Sequence, residues 1–229
     1  MEHNGIVYPS HRNRVTAASY MGQPAVKKEY LISHETYLVE RANLSRLTEL
    51  GFSRIPRILY EEEDVLYLSH LPGTPYTDLI PQMEQDTDFA VKAMDALIRS
   101  VTLFHDLCGC RRGDVNLRNF LFDGTDCYWV DFEDPLCPGA MEADLGGMLA
   151  YLVTYSPPCT PQKLELGRIF FRCAAQNSIE SDGIRAGYLE ELNRILYYRG
   201  TRFAPIAESA RDAFCAMVPS TTGEESPIL

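Results

Sequence analysis

The sequence predicts an α+β chain in two lobes: a small antiparallel sheet with one helix over residues 1–70, then a mainly helical lobe over residues 71–219. Strand-like alternation is concentrated before residue 70, helical periodicity dominates after residue 86, and Leu71-Pro72-Gly73 punctuates the junction. A chain of 229 residues is long enough for one large or two small domains with real cores. The polar residues 220–229 are expected to be a disordered tail.

The elements follow in order. Ile6-Val7-Tyr8 through Val15 reads as a strand, a tight polar turn and a second strand. Pro24-Ala25-Val26-Lys27 reads as the end of the next strand; side chains alternate across a strand, so Ala25 and Lys27 share one face and Lys28 takes the other unless the strand is bulged. Ser33 caps a helix that runs through Tyr37, Leu38, Leu44, Leu47 and Leu50 and stops at Gly51. Val65 to Leu68 is a strand entering the connection. Asp86 to Leu107 repeats apolar residues at helical spacing, through Phe89, Met94, Leu97, Val101 and Phe104, and His105 near its end reads as a core or capping residue. Phe120-Leu121-Phe122 and Tyr128-Trp129-Val130 form a hairpin turning at Asp123-Gly124. Further helices are expected at Ala143–Tyr155, Pro161–Gln176, Gly183–Tyr198 and Ala204–Met217.

Composition narrows the function classes. A formal net charge of -11 disfavours nucleic acid as a partner. No apolar stretch approaches the roughly 20 residues of a membrane span, and Met1-Glu2-His3-Asn4 does not read as a signal peptide, so a cytoplasmic protein without a membrane partner is expected. Seven cysteines with no paired C-x-x-C argue against a disulfide framework and a structural zinc site; Cys108 and Cys110 read as packing thiols.

The chemistry is concentrated between Gly113 and Asp144. Asp114 and Asn119, five residues apart, suit a loop that holds a base and a metal ligand together, and the hairpin then returns a second ligand, Asp131, to the same place. Singly, each would read as a turn or cap residue. Phosphoryl transfer needs such a set: one carboxylate to orient the attacking hydroxyl, and oxygen ligands for Mg2+ bridging the phosphates.

At these residues the sequence resembles the protein-kinase-like superfamily, whose catalytic loop reads His-Arg-Asp or His-Gly-Asp followed by Asn. Gly113 before Asp114, the triplet Asp131-Phe132-Glu133 and the segment Pro138-Gly139 to Asp144-Leu145 look more like the aminoglycoside phosphotransferase and choline kinase branch than the protein kinases. The resemblance implies a bilobal protein-kinase-like fold, ATP and Mg2+ as cofactors, Asp114 as catalytic base, Asn119 and Asp131 as metal ligands and Asp144 as support for the loop. Arg112 stands where the family usually has a mainly structural His, which puts the loop's internal hydrogen bonding in question.

The resemblance also asks for a strand Lys on the nucleotide phosphates, braced by a helix Glu. Lys27 with Glu40 is the expected pair, with Lys28 and Glu35 as competitors. No Gly-x-Gly-x-x-Gly marks the roof, and Arg12 and Arg14 there read more simply as solvated. The purine is expected on the backbone of Ser69, His70 and Leu71.

Asp131 and Asp144 are only thirteen residues apart and no Ala-Pro-Glu occurs, which leaves little room for a peptide-docking platform. A small hydroxylated acceptor is expected. Glu84, Asp86, Asp88, Glu133, Asp134 and Glu142 would suit a cationic one, against the plainer reading that acidity keeps the chain soluble. The alternatives are a minimal atypical protein kinase resembling the RIO kinases, and a nucleotide-binding pseudokinase module.

Overall fold

Side-chain alternation along the first 69 residues builds one five-stranded antiparallel sheet in the computed structural model, which describes residues 6–10 and 12–218. Its strands are β1 (Val7–Tyr8), β2 (Asn13–Tyr20), β3 (Gln23–Tyr30), β4 (Ile58–Glu62) and β5 (Val65–Ser69), in spatial order β1-β2-β3-β5-β4. The β2–β3 hairpin turns at Met21 (φ 49°) and Gly22 (φ 79°), the left-handed pair that matches the twist of the flanking strands. β3 carries no bulge: Lys28 faces Val15 and Leu66 in register, and Lys27 faces Thr16 and Tyr67. Tyr30, Leu66 and Leu68 are buried with Leu44 and Leu47 of α1 (His34–Glu49), whose cap Ser33 accepts the Thr36 N–H at 3.3 Å.

After Ser69 the chain leaves this sheet. β6 (Thr74–Pro75) joins β8 (Phe120–Phe122) and β9 (Cys127–Trp129) in a second sheet, and β7 (Cys110–Arg111) pairs with β10 (Cys137–Pro138). The β8–β9 turn is closed by Asp123 Oδ1, which accepts the Thr125 and Asp126 N–H groups at 2.9 and 2.8 Å. The helices are α2 (Tyr76–Met83), α3 (Thr87–Cys108), α4 (Met141–Thr154), α5 (Pro161–Gln176), α6 (Ser181–Arg199) and α7 (Ala204–Met217). Asp86 caps α3 on the Phe89 N–H, and Gly109 (φ 61°) ends it. α2 is absent from the sequence reading; it is eight residues long with Pro81 inside, too short for a helical repeat to register, and it is held by buried Tyr76, whose hydroxyl donates to Ala93 O.

Two features place the site. Trp129 is fully buried among Phe52, Phe104, Phe120 and Phe132, and its Nε1 donates to Ser100 Oγ at 2.6 Å, so the hairpin end that leads to Asp131 is anchored to α3. Helices α4 and α6 meet backbone to backbone through glycines: a Cβ at Gly146 would stand 2.3 Å from Ile184 O and Tyr188 N, and one at Gly187 would stand 2.5 Å from Ala143 Cα. No helix among the described residues is long and apolar enough to cross a membrane. The expected tail at 220–229 and the reading of residues 1–4 lie outside the described residues.

Candidate active site

The lysine expectation is corrected by the geometry. Lys28, not Lys27, meets Glu40: its Nζ lies 2.6 Å from Glu40 Oε2 in a buried pair. Lys27 points to the opposite face, where it pairs with Glu29 at 2.9 Å. Alternation alone leaves the choice open, because Ala25 on the Lys27 face is buried and Val26 on the Lys28 face only partly so; buried Tyr30 is the residue that marks the Lys28 face as inner. Glu40 does more than hold a lysine. Its Oε2 also accepts the Tyr30 hydroxyl at 2.5 Å and its Oε1 accepts the Phe132 N–H at 3.0 Å, joining α1, β3 and the loop after β9. The competing Glu35 is exposed.

Two further carboxylates converge on the same ammonium: Asp131 Oδ1 at 2.7 Å and Glu133 Oε1 at 2.7 Å. Burial pulls the Lys28 ammonium down, but the three carboxylates outweigh it and its pKa stands raised. Asp131 is held below the usual carboxylate range: burial pushes it up, and Lys28 with Arg112 more than reverses that. Glu133 is pushed up, by burial and by the nearby Asp131. One ammonium shared by three carboxylates leaves the cluster short of positive charge. Asp131 itself has φ 67°, a left-handed conformation that Asp and Asn tolerate better than most residues.

The loop from Arg112 to Asn119 brings the remaining expected residues together. Asn119, buried at the end of a 3-10 turn, donates from Nδ2 to Asp114 Oδ2 at 2.8 Å; among the described residues no protein donor reaches its Oδ1. Its carbonyl accepts the Val130 N–H at 2.9 Å, which ties this loop to the strand end before Asp131. Asp144, in the first turn of α4, accepts the Arg112 N–H at 2.6 Å and the Gly113 N–H at 3.2 Å. Burial raises the Asp144 carboxyl despite these two donors.

Arg112 resolves the question its substitution raised. Its guanidinium donates to Asp114 O, Val130 O and Asp131 O at 2.6, 2.7 and 2.7 Å, so one side chain links the loop of Asp114 to the backbone of Asp131. It is buried beneath three rings, with Cζ 4.6 Å from the Phe132 centroid, 5.2 Å from Phe120 and 5.7 Å from Trp129. Arginine's several donors suit a site where three carbonyls converge.

At the connection, two of the expected purine contacts are partly taken. The Ser69 N–H donates to Arg57 O at 2.8 Å and the His70 N–H reaches Pro24 O at 3.4 Å, which leaves Leu71 as the candidate donor. Arg12 and Arg14 are exposed, and His105 is half-buried with Nε2 3.0 Å from Gly139 O. Of the acidic residues expected to draw a cation, Glu133 is spent on Lys28, Asp86 caps α3, Asp134 and Asp88 are exposed, and Glu142 lies against Gly183. Glu84 borders two cavities of about 260 and 290 Å3, neither of which is lined by Asp114. The residues that sequence reasoning passed over are Tyr30, Asn13, which donates to Glu133, and Asn43, which donates to Phe132 O and Asp134 O; single asparagines in strands and helices carry no distinctive signal.

The donor set suits magnesium. Asn119 Oδ1 and the Asp131 carboxylate are hard oxygen donors, and Mg2+ is usually held by one or two carboxylates together with substrate phosphates.

The architecture is the α+β, bilobal protein-kinase-like fold of the aminoglycoside phosphotransferases and choline kinases. The gentamicin complex of the aminoglycoside phosphotransferase APH(2")-IIa is similar at a TM-score of 0.54 and 12% identity, over 94% of each chain. Choline kinase from Cryptosporidium parvum Iowa II is similar at a TM-score of 0.55 and 11% identity, over 94% of this chain and 87% of the other. No protein-family model matches the sequence, and no curated protein matches it either.

Proposed function

We propose that this protein is an ATP- and Mg2+-dependent phosphotransferase that acts on a hydroxyl of a small molecule. The observation that carries the reading is the meeting of Lys28, Glu40 and Asp131 at 2.6 and 2.7 Å, from a strand, a helix and a loop, the last of them far along the chain from the other two. Bound Mg-ATP would supply the electrophilic γ-phosphorus, with the metal neutralising charge that develops on its oxygens. Asp114 orients the acceptor hydroxyl and takes up its proton; Asn119 Nδ2 holds that carboxylate in place. Asn119 Oδ1 and Asp131 hold the metal. Lys28, braced by Glu40, faces the phosphates, and the backbone of His70 and Leu71 meets the purine. Asp144 and Arg112 keep the loop in register with Asp131. The short segment between Asp131 and Asp144 supports a small acceptor over a protein.

The test is thermal stability with ATP, GTP and their Mg2+ complexes, followed by ADP release over a panel of alcohols. Stabilisation by Mg-nucleotide together with acceptor-dependent ADP release is expected. Nucleotide binding without turnover on any alcohol or protein would favour a pseudokinase, and no binding would overturn the reading.

A further inference from the structure

Beside Asp114 stands a second polar cluster with no part in holding metal or phosphate. A Cβ at Gly147 of α4 would lie 2.5 Å from Val115 Cγ2 and 3.7 Å from Glu191 Oε2, so Glu191 of α6 reaches the residue next to Asp114 across a single helix glycine. Glu191 is buried and takes a bidentate pair from Arg194, Nε at 2.8 Å and Nη2 at 2.9 Å. Tyr151 and Tyr155 stack alongside with ring centroids 6.0 Å apart, and the Tyr155 hydroxyl donates to Asn116 Oδ1 at 2.6 Å. Asn116 in turn donates its N–H to Asp114 Oδ1 at 3.3 Å, so Tyr155 reaches the loop that carries Asp114.

The bidentate pair of Glu191 with Arg194 is neutral, so this wall does not carry the acidity expected from composition. Glu191 is committed to Arg194, while Arg194 keeps Nη1 without an acceptor among the described residues and has 36% of its side chain exposed. The acidic residues that would greet an amine lie elsewhere or are already paired. A guanidinium with a nitrogen left over can donate a charge-assisted hydrogen bond to a carboxylate or phosphate.

We infer that the acceptor carries an anionic group, a carboxylate or a phosphate, beside its hydroxyl, and that Arg194 binds this group through Nη1 while the stacked Tyr151 and Tyr155 flank the carbon skeleton. The inference rests on the phosphotransferase reading and specifies its substrate class.

The experiment compares sugar alcohols, amino sugars, sugar acids and sugar phosphates as acceptors by ADP release with Mg-ATP. Sugar acids or sugar phosphates should exceed the neutral and cationic sets at least tenfold in kcat/KM, with the two anionic sets separating carboxylate from phosphate. Arg194→Gln should raise KM for the anionic acceptor on the order of 10- to 100-fold, the worth of one charge-assisted hydrogen bond, with a smaller change in kcat. Arg194→Lys should keep the preference for anions in part, and melting curves check that both variants fold; if Arg194→Gln does not, Glu191→Gln/Arg194→Gln removes the pair together and should lose the same preference. Turnover on neutral or cationic acceptors equal to that on anionic ones, or an unchanged KM in the variant, overturns the inference and leaves the phosphotransferase reading standing. Absence of both turnover and Mg-nucleotide stabilisation overturns both.

Discussion

Lys28 Nζ lies 2.6 Å from Glu40 Oε2, whereas the adjacent Lys27 turns to the other face of the same strand and meets Glu29 at 2.9 Å. The first pair is buried and shared with Asp131 and Glu133; the second is partly solvated. Lys28→Met strands three carboxylates and should cost about 3–5 kcal/mol of stability, the usual penalty for breaking a buried ion pair. Lys27→Met should stay within about 0.5 kcal/mol, as surface substitutions do. Urea midpoints measure both stability effects and ADP release measures turnover: phosphoryl transfer should fall far more for Lys28→Met. Equal behaviour of the two variants would remove Lys28 from the site.

Asp131→Asn isolates the metal. Asn tolerates the left-handed conformation found at φ 67° and keeps the volume, so the fold should survive while the ligand charge is lost. The extra thermal stabilisation that Mg2+ adds to bound ATP should vanish. Its persistence would show that the metal is held elsewhere.

Asp114→Asn should reduce turnover by about 10²–10⁴, the range for a positioned acid or base. ATP affinity by calorimetry should be nearly unchanged, because the proposed metal ligands are Asn119 Oδ1 and Asp131, and Asp114 meets Asn119 through Nδ2 instead. Full activity in the variant would reduce Asp114 to a loop cap.

Gly146→Ala tests the seam that carries Glu191 toward Asp114. Helix propensity alone would favour alanine by about 1 kcal/mol. The new Cβ, however, would meet backbone atoms of α6 at 2.3 Å, and backbone has no rotamer to change. A net loss of about 1–3 kcal/mol is expected, as for other overpacked sites. Gly167→Ala is the control: its Cβ would meet the flexible end of Met217 at 2.2 Å and should cost less. Equal urea midpoints for the two variants would show that α4 and α6 separate readily.

What the sequence determined by itself was whatever local chemistry dictates. Ser33 and Asp86 cap their helices because a side-chain oxygen satisfies a free N–H within the same turn, and Pro161–Gln176 and Ala204–Met217 begin and end where the sequence reading places them. The hairpin at Asp123-Gly124 and the spacing of Asp114, Asn119, Asp131 and Asp144 were legible for the same reason: short-range geometry needs these residue types at these separations. Tertiary structure decided everything that depends on which face meets which neighbour. Alternation separates Lys27 from Lys28, but the packing of α1 under β3 selects Lys28. Arg112 departs from the family pattern, yet its three carbonyl partners come from segments that meet only in the fold. Glu133 reads as one of several acidic residues suited to a cationic acceptor, yet it meets Lys28 from a distant part of the chain; the Glu191–Arg194 pair is local to α6 and comes beside Val115 only where α4 packs on α6, and no local periodicity records either meeting.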